Sequence, residues 1–154
     1  MDELKLMNHW GVVKKLSLTD AEFDSWLASL GLAYRERHCD KCGSEMSLTS
    51  EETESGEVRK KFRCKAKACR KKIGYRSGTF FEDSKLCAKD IFHLSYFWSL
   101  DCSITYEQIA HELRRDDGST VASHTIVDWM SFFRDICSQY FINNPAWGGE
   151  SSRD

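Results

Sequence analysis

Cys39-Asp-Lys-Cys42 and Cys64-Lys-Ala-Lys-Ala-Cys69 are two close cysteine pairs separated by 21 residues. Two such knuckles, joined by a strand-forming spacer, suit one tetrahedral zinc ion at about 2.3 Å per Zn–S bond. Four thiolates leave no open position for water, so the expected zinc is structural and not catalytic. His38 beside Cys39 reads as a flanking polar residue. The count of seven cysteines is odd, which argues against a complete disulfide framework. Cys87, Cys102 and Cys137 stand singly and read as small buried apolar residues.

The second pair lies in the most basic stretch of the chain. Residues 58–76 hold Arg59, Lys60, Lys61, Arg63, Lys65, Lys67, Arg70, Lys71, Lys72 and Arg76, and no acid. The rest of the chain has 12 basic residues against 24 acidic ones, a net of −12. The formal net charge of −2 therefore conceals a strongly basic segment on an acidic body. That asymmetry points to a polyanion-binding face, although part of the charge balances the −2 of a Zn(Cys)4 centre.

Outward from the cysteines, Met46, Leu48 and Ser50 start a strand. Glu51 to Glu57 reads as an acidic turn around Ser55-Gly56. Val58 to Arg63 returns with Val58, Lys60 and Phe62 on one face. A third strand is expected from Ile73 to Phe81, bent at Gly74 and Gly78. Before the ribbon, Thr19 and Glu22 form a capping box, with Leu18 and Phe23 placed as a hydrophobic staple. The helix they open carries Phe23, Trp26, Leu27 and Leu30 and stops at Gly31. The first 16 residues pattern weakly and read as an arm or short strand.

The C-terminal half turns helical. Residues 88–101 are broadly apolar, as a central helix would be. Thr105 and Gln108 form a second capping box, opening a short helix with Ile109, Ala110 and Leu113 inward. Arg114 to Thr120 is a turn with Asp117-Gly118 at its tip. Ser123 starts a longer helix with Ile126, Met130, Phe133, Cys137 and Tyr140 on one stripe, ended by Asn143-Asn144-Pro145. This order is that of a helix-turn-helix, which would set Ser123, His124 and Thr125 against base edges in the major groove. Its turn exceeds the usual three or four residues, which either weakens the helix-turn-helix pattern or lets the insertion itself touch DNA through Arg114 and Arg115.

The fold expected is α+β: an arm and helix over 1–37, a zinc ribbon over 38–82, a helix-turn-helix over 83–144, and a disordered tail over 145–154. Hydrophobic residues make up 41% of 154, enough for a core. No run of about 18 apolar residues marks a membrane span, and the N-terminus lacks the apolar run of a signal peptide. A thiol-reducing location is expected, nuclear in a eukaryote and otherwise cytoplasmic.

With these residues assembled, the chain resembles the N-terminal part of Merlin-type DNA transposases and their bacterial insertion-sequence relatives. The resemblance spans about Cys39 to Phe141. It rests on Cys39-x-x-Cys42-Gly43, Phe62-Arg63-Cys64, Cys69-Arg70-Lys71-Lys72, Thr125-Ile126-Val127-Asp128-Trp129 with Phe132-Phe133-Arg134, and above all Arg76-Ser-Gly78-Thr79-Phe80-Phe81-Glu82-Asp83-Ser84-Lys85-Leu86. It implies a zinc ribbon and a helix-turn-helix that recognise a transposon's terminal repeats. The family's catalytic domain, an RNase H-like fold whose carboxylates hold two metal ions, is expected to begin near where this chain ends.

The function expected is zinc-dependent binding of double-stranded DNA without catalysis, in a transposase-derived transcription or chromatin factor. Phosphate contacts fall to the ten cations of 58–76 together with Lys85, Arg114 and Arg115, and base or phosphate contacts to Ser123, His124 and Thr125. Two alternatives stand beside it. One is a protein-interaction or self-association module using the aromatic last helix (Trp129, Phe132, Phe133, Tyr140, Phe141). The other is the DNA-binding fragment of an active transposase. His93 and His111 are isolated among apolar residues, and no nucleophile pairs with either.

Overall fold

The computed structural model describes residues 2–52, 58–100 and 104–145. It is α+β and divides into two compact units, Met1–Lys85 and Leu86–Asp154. The expected turn at Ser55-Gly56, the reading of Cys102 and the tail from Ala146 lie outside the described residues.

The first unit opens with three helices, α1 (Asp2–Lys5), α2 (His9–Leu16) and α3 (Asp20–Ser29). The arm or short strand expected over the first 16 residues is therefore helical. Asn8 caps α2 by accepting the Gly11 N–H at 3.0 Å, a cap without the Glu three residues on that would have flagged it. Glu3 accepts from Trp26 Nε1 at 3.1 Å and pairs with Lys15 at 2.8 Å. The capping box of α3 forms as expected: Thr19 accepts the Glu22 N–H and Glu22 accepts the Thr19 N–H. Its end is a Schellman motif. Gly31 takes φ +76°, its N–H reaches the Ala28 carbonyl, and the Leu32 N–H reaches that of Leu27. Val12, Phe23, Trp26 and Leu27 are buried.

A three-stranded antiparallel sheet follows, in the order β1 (Met46–Glu52), β2 (Val58–Cys64), β3 (Lys72–Gly74). The register pairs Met46 with Cys64 and Glu52 with Val58, then Phe62 with Ile73 and Arg63 with Lys72. Met46 and Phe62 are buried, whereas Val58, expected on the same face, is exposed toward the hairpin end.

The third strand stops at Gly74 instead of running to Phe81. Beyond it, side chains take over the backbone hydrogen bonds a ladder would need. Thr79 Oγ1 donates to the Arg76 carbonyl, Glu82 accepts the Gly78 N–H at 2.9 Å, and Gly78 takes φ +73°. Arg37 donates to the Ser77 carbonyl at 2.6 Å, and Arg76 to that of Ser84 at 3.3 Å. The string Arg76–Leu86 is thus a self-bonded series of turns around buried Phe81.

The second unit contains α4 (Ala88–Ser99), α5 (Tyr106–Glu112) and α6 (Ser123–Asn143). Its core is Ile91, Leu94, Ile109, Leu113, Val121, Ile126, Met130 and Phe133. Trp98 and Trp129 pack on Phe133 with centroids 6.0 and 5.6 Å away. The capping box of α5 forms between Thr105 and Gln108. The Cys87 sulfur caps α4 by accepting the Asp90 N–H at 3.3 Å. The loop before α6 is pinned by Thr120, whose hydroxyl donates to the Ala110 carbonyl, and turns at Gly118 with φ +81°. Two expectations fail. Cys87 and Cys137 are half-buried, not buried, and the inward stripe of α6 ends at Phe133, leaving Tyr140 exposed.

Candidate metal centre and cationic sheet face

Each cysteine pair sits on a tight backbone turn. In the first, the Gly43 N–H bonds to the Cys39 carbonyl at 2.7 Å, and the Cys39 N–H to that of Ser44 at 2.8 Å. Gly43 takes φ +71°, directly after Cys42. His38 faces Glu45 in a β-bridge across the base of this turn. In the second, the Cys69 and Arg70 N–H groups both turn back to the Ala66 carbonyl. Cys64, at the end of β2, is held by the Lys71 carbonyl at 2.9 Å.

These turns bring Cys39, Cys42, Cys64 and Cys69 together with all four sulfurs within 4.8 Å of one another. Cys39 and Cys69 are 3.7 Å apart, Cys42 and Cys64 3.4 Å. A tetrahedron with metal–sulfur bonds of about 2.3 Å has edges of about 3.8 Å. The sulfur separations and the all-thiol donor set therefore fit a single soft divalent ion. Met46 and Phe62 are buried beside Cys39 and Cys64, with Ala66, Ile73 and Tyr75 packed against them. Hydrogen bonds from Ser44 hold the Cys42 thiol down at about 6, whereas burial pushes Cys64 up to about 12.

Several cations expected on DNA also make contacts within the protein. Lys71 pairs with Asp40 at 2.7 Å and Lys65 with Glu45 at 2.6 Å, each linking one knuckle to the other. Lys60 pairs with Asp24 of α3 and lies 5.8 Å from the Tyr75 ring. Arg76 is half-buried on the Ser84 carbonyl, and Arg70 Nε donates to the Lys67 carbonyl at 3.1 Å. Tyr75 packs 5.8 Å from Phe62. Phe80 and Phe81 meet edge to face at 5.3 Å.

The sheet nonetheless sorts charge by face. Side chains alternate along a strand, so Arg59, Lys61 and Arg63 of β2 share the face opposite Phe62 and Cys64. The register adds Lys72 from β3, and Ser47, Thr49 and Glu51 from β1. Glu51 is the one acid among these strand positions. Its carboxylate takes Lys72 at 2.8 Å and Lys61 at 3.1 Å, and those two ammoniums hold it down at about 2. Lys67, Arg70 and Lys85 are exposed elsewhere on the same unit. The partners Asp24, Asp40, Glu45 and Glu51 are the residues that sequence reading missed. Only Glu51 left a signal, because pairing Glu51 with Arg59 sets it diagonal to Lys61.

In the second unit, Ser123 and His124 are exposed and Thr125 half-buried at the start of α6, whose N-cap Ala122 supplies no side-chain bond. Arg114 is exposed, and Arg115 pairs with Asp90 at 2.6 Å. His93 is half-buried on Phe97, and His111 is exposed. The units differ in charge: residues 1–85 carry 17 basic and 14 acidic side chains, net +3, and residues 86–154 carry 5 and 10, net −5.

No described helix is long and apolar enough to cross a membrane. Comparison with protein-family models, curated proteins and solved structures finds no match.

Proposed function

We propose that this chain is a zinc-dependent double-stranded-DNA-binding protein, related to the DNA-binding region of Merlin-type transposases and acting without catalysis, as a nuclear factor in a eukaryote. The observation that carries the reading is the sheet face that gathers Arg59, Lys61, Arg63 and Lys72, with Glu51 the one acid among the strand positions described on that face. Row-like cations on a rigid sheet match a phosphate backbone, and a zinc ion in the four-sulfur cluster would hold that sheet rigid. The helix order of the second unit, with exposed Ser123 and His124 opening α6, agrees with a helix-turn-helix reading bases. Its net −5 assigns the electrostatic grip to the ribbon. Mobility shift with rising salt, with zinc and with chelator, tests the reading. Tight binding that falls steeply with salt and vanishes on chelation is expected. A zinc-loaded chain that ignores duplex DNA at about 50 mM salt defeats it.

A second reading has its own observation. Phe132, Ile136, Tyr140, Phe141 and Ile142 of α6 are all exposed, the last three by more than half. Such a face on an acidic unit fits a protein partner or a second copy. Monomeric behaviour at high concentration, with no change on Ile136→Asp, counts against self-association.

A further inference from the structure

Glu51 stands where the cationic face is densest. It lies on edge strand β1, and Lys72 on the opposite edge strand β3, so their contact passes over β2. Across the strands that is about 9–10 Å at about 4.8 Å per strand step, with an offset of four residues along them besides. Lys61, on β2 beneath this contact, bonds the second carboxylate oxygen. Arg59 is directly opposite Glu51 in the register, and Arg63 opposite Lys72. The seat thus receives one anionic group bearing two oxygens, between two ammoniums, with two guanidinium side chains at neighbouring positions. A phosphodiester offers the same chemistry: two equivalent oxygens sharing one negative charge, taken by the same charge-assisted bonds.

Resting on the reading that this face grips nucleic acid, we infer that the Glu51 carboxylate holds the seat of a backbone phosphate, which displaces it from Lys61 and Lys72. Glu51 is then an internal competitor. An isolated phosphate gains little by replacing a tethered carboxylate, whereas a duplex engaging Arg59 and Arg63 at the same time displaces it. The device raises the threshold for stray anions and leaves the register on a long polyanion intact.

The test uses the full zinc-loaded chain, a labelled duplex of about 20 base pairs and fluorescence anisotropy at about 100 mM salt, where one further phosphate contact is worth roughly 5- to 10-fold. Glu51→Gln removes the competitor. Glu52→Gln, one residue on and on the other face of β1, removes the same charge without touching the seat. The expected result is a gain of about 5- to 10-fold for E51Q, little change for E52Q, and loss of the gain when Lys61→Ala and Lys72→Ala are added. Equal changes in E51Q and E52Q, or weaker binding by E51Q, overturn the phosphate seat while leaving DNA binding in place. Absence of binding by every variant, the wild type included, overturns both.

Discussion

Gly43 and Arg70 occupy equivalent places: each follows the second cysteine of its pair, and each holds a left-handed backbone, at φ +71° and +48°. The knuckle needs that turn to aim both sulfurs at one point. Glycine adopts it freely, and any other residue at a cost of roughly 1–2 kcal/mol. Nothing lies within 4 Å of a Cβ built on Gly43, so Gly43→Ala tests backbone conformation without a clash. It is expected to destabilise the zinc-bound first unit by about 1 kcal/mol. Arg70→Gly relieves strain but loosens the unfolded chain, so it should leave stability within about 1 kcal/mol of wild type. Urea midpoints at saturating zinc would measure both, and Gly43→Ala without effect would refute the account.

Metal removal should be selective. Around the cysteines the buried cluster among the described residues is Cys39, Met46, Phe62 and Cys64, with a few half-buried side chains against it, too little apolar surface to order three short strands alone. The second unit has its own core, with eight buried side chains among the described residues. Chelator, or Cys64→Ser, is expected to abolish the strand signal and retain the helical signal of residues 86–154, read by amide hydrogen exchange. Protection in β2 surviving chelation would show that the ion is dispensable.

Loading should depend on pH with a definite sign. A metal takes thiolates, so protons compete and affinity rises with pH. Cys64, pushed up to about 12, must release a proton on loading at any ordinary pH, whereas Cys42, held at about 6, has already lost its own by pH 7. Metal affinity should therefore fall more steeply with acid below about pH 6 than above it. Competition with a chromophoric chelator from pH 5 to 8 reads the two slopes, and one constant slope would contradict the geometry around Ser44.

How much of this was legible in the sequence varies with how local the cause is. The four cysteines, both capping boxes and the glycine stop of α3 depend on residues a few positions apart, and all are seen in place. The pairing of Lys60 with Asp24 and of Lys71 with Asp40 spans 36 and 31 residues, so ten cations looked uniformly available when several are engaged. Strand propensity across Ile73–Phe81 lost to the hydroxyl and carboxylate bonds of Thr79 and Glu82, a tertiary outcome that alternation does not encode. Tyr140 matched the period of α6, yet it is exposed, because periodicity marks a stripe without saying how far along the helix a partner covers it.

Glu51 gives a stability prediction as well as a binding one. Lys72 and Lys61 hold its carboxyl at about 2, below the usual glutamate value of about 4.3. A depressed folded value contributes stability that is complete above the unfolded pKa and lost as pH falls from about 4.3 toward 2. Glu51→Gln should flatten that part of the acid limb of the unfolding curve, measured with a thiophilic ion that stays bound in acid, and leave the limb above pH 5 unchanged. An identical acid limb in both proteins would mean that the two lysines contribute nothing to folding.

Arg114 and Arg115 separate structure from contact at adjacent positions. Arg115 reaches Asp90, a residue only 14% exposed, at 2.6 Å and so ties the loop before α6 to the first turn of α4. Arg114 is exposed and has no ion pair among the described residues. Arg115→Ala should destabilise the second unit by about 0.5–1 kcal/mol and reduce DNA affinity only by loosening the loop, so Asp90→Ala should reproduce its effect. Arg114→Ala should leave stability unchanged and, if this loop meets phosphate, lower affinity several-fold with a salt slope shallower by about 0.9. Thermal unfolding and salt-dependent anisotropy on the same three variants decide the matter. A full-strength complex with Arg114→Ala would remove the loop from the DNA interface and confine phosphate contacts to the ribbon.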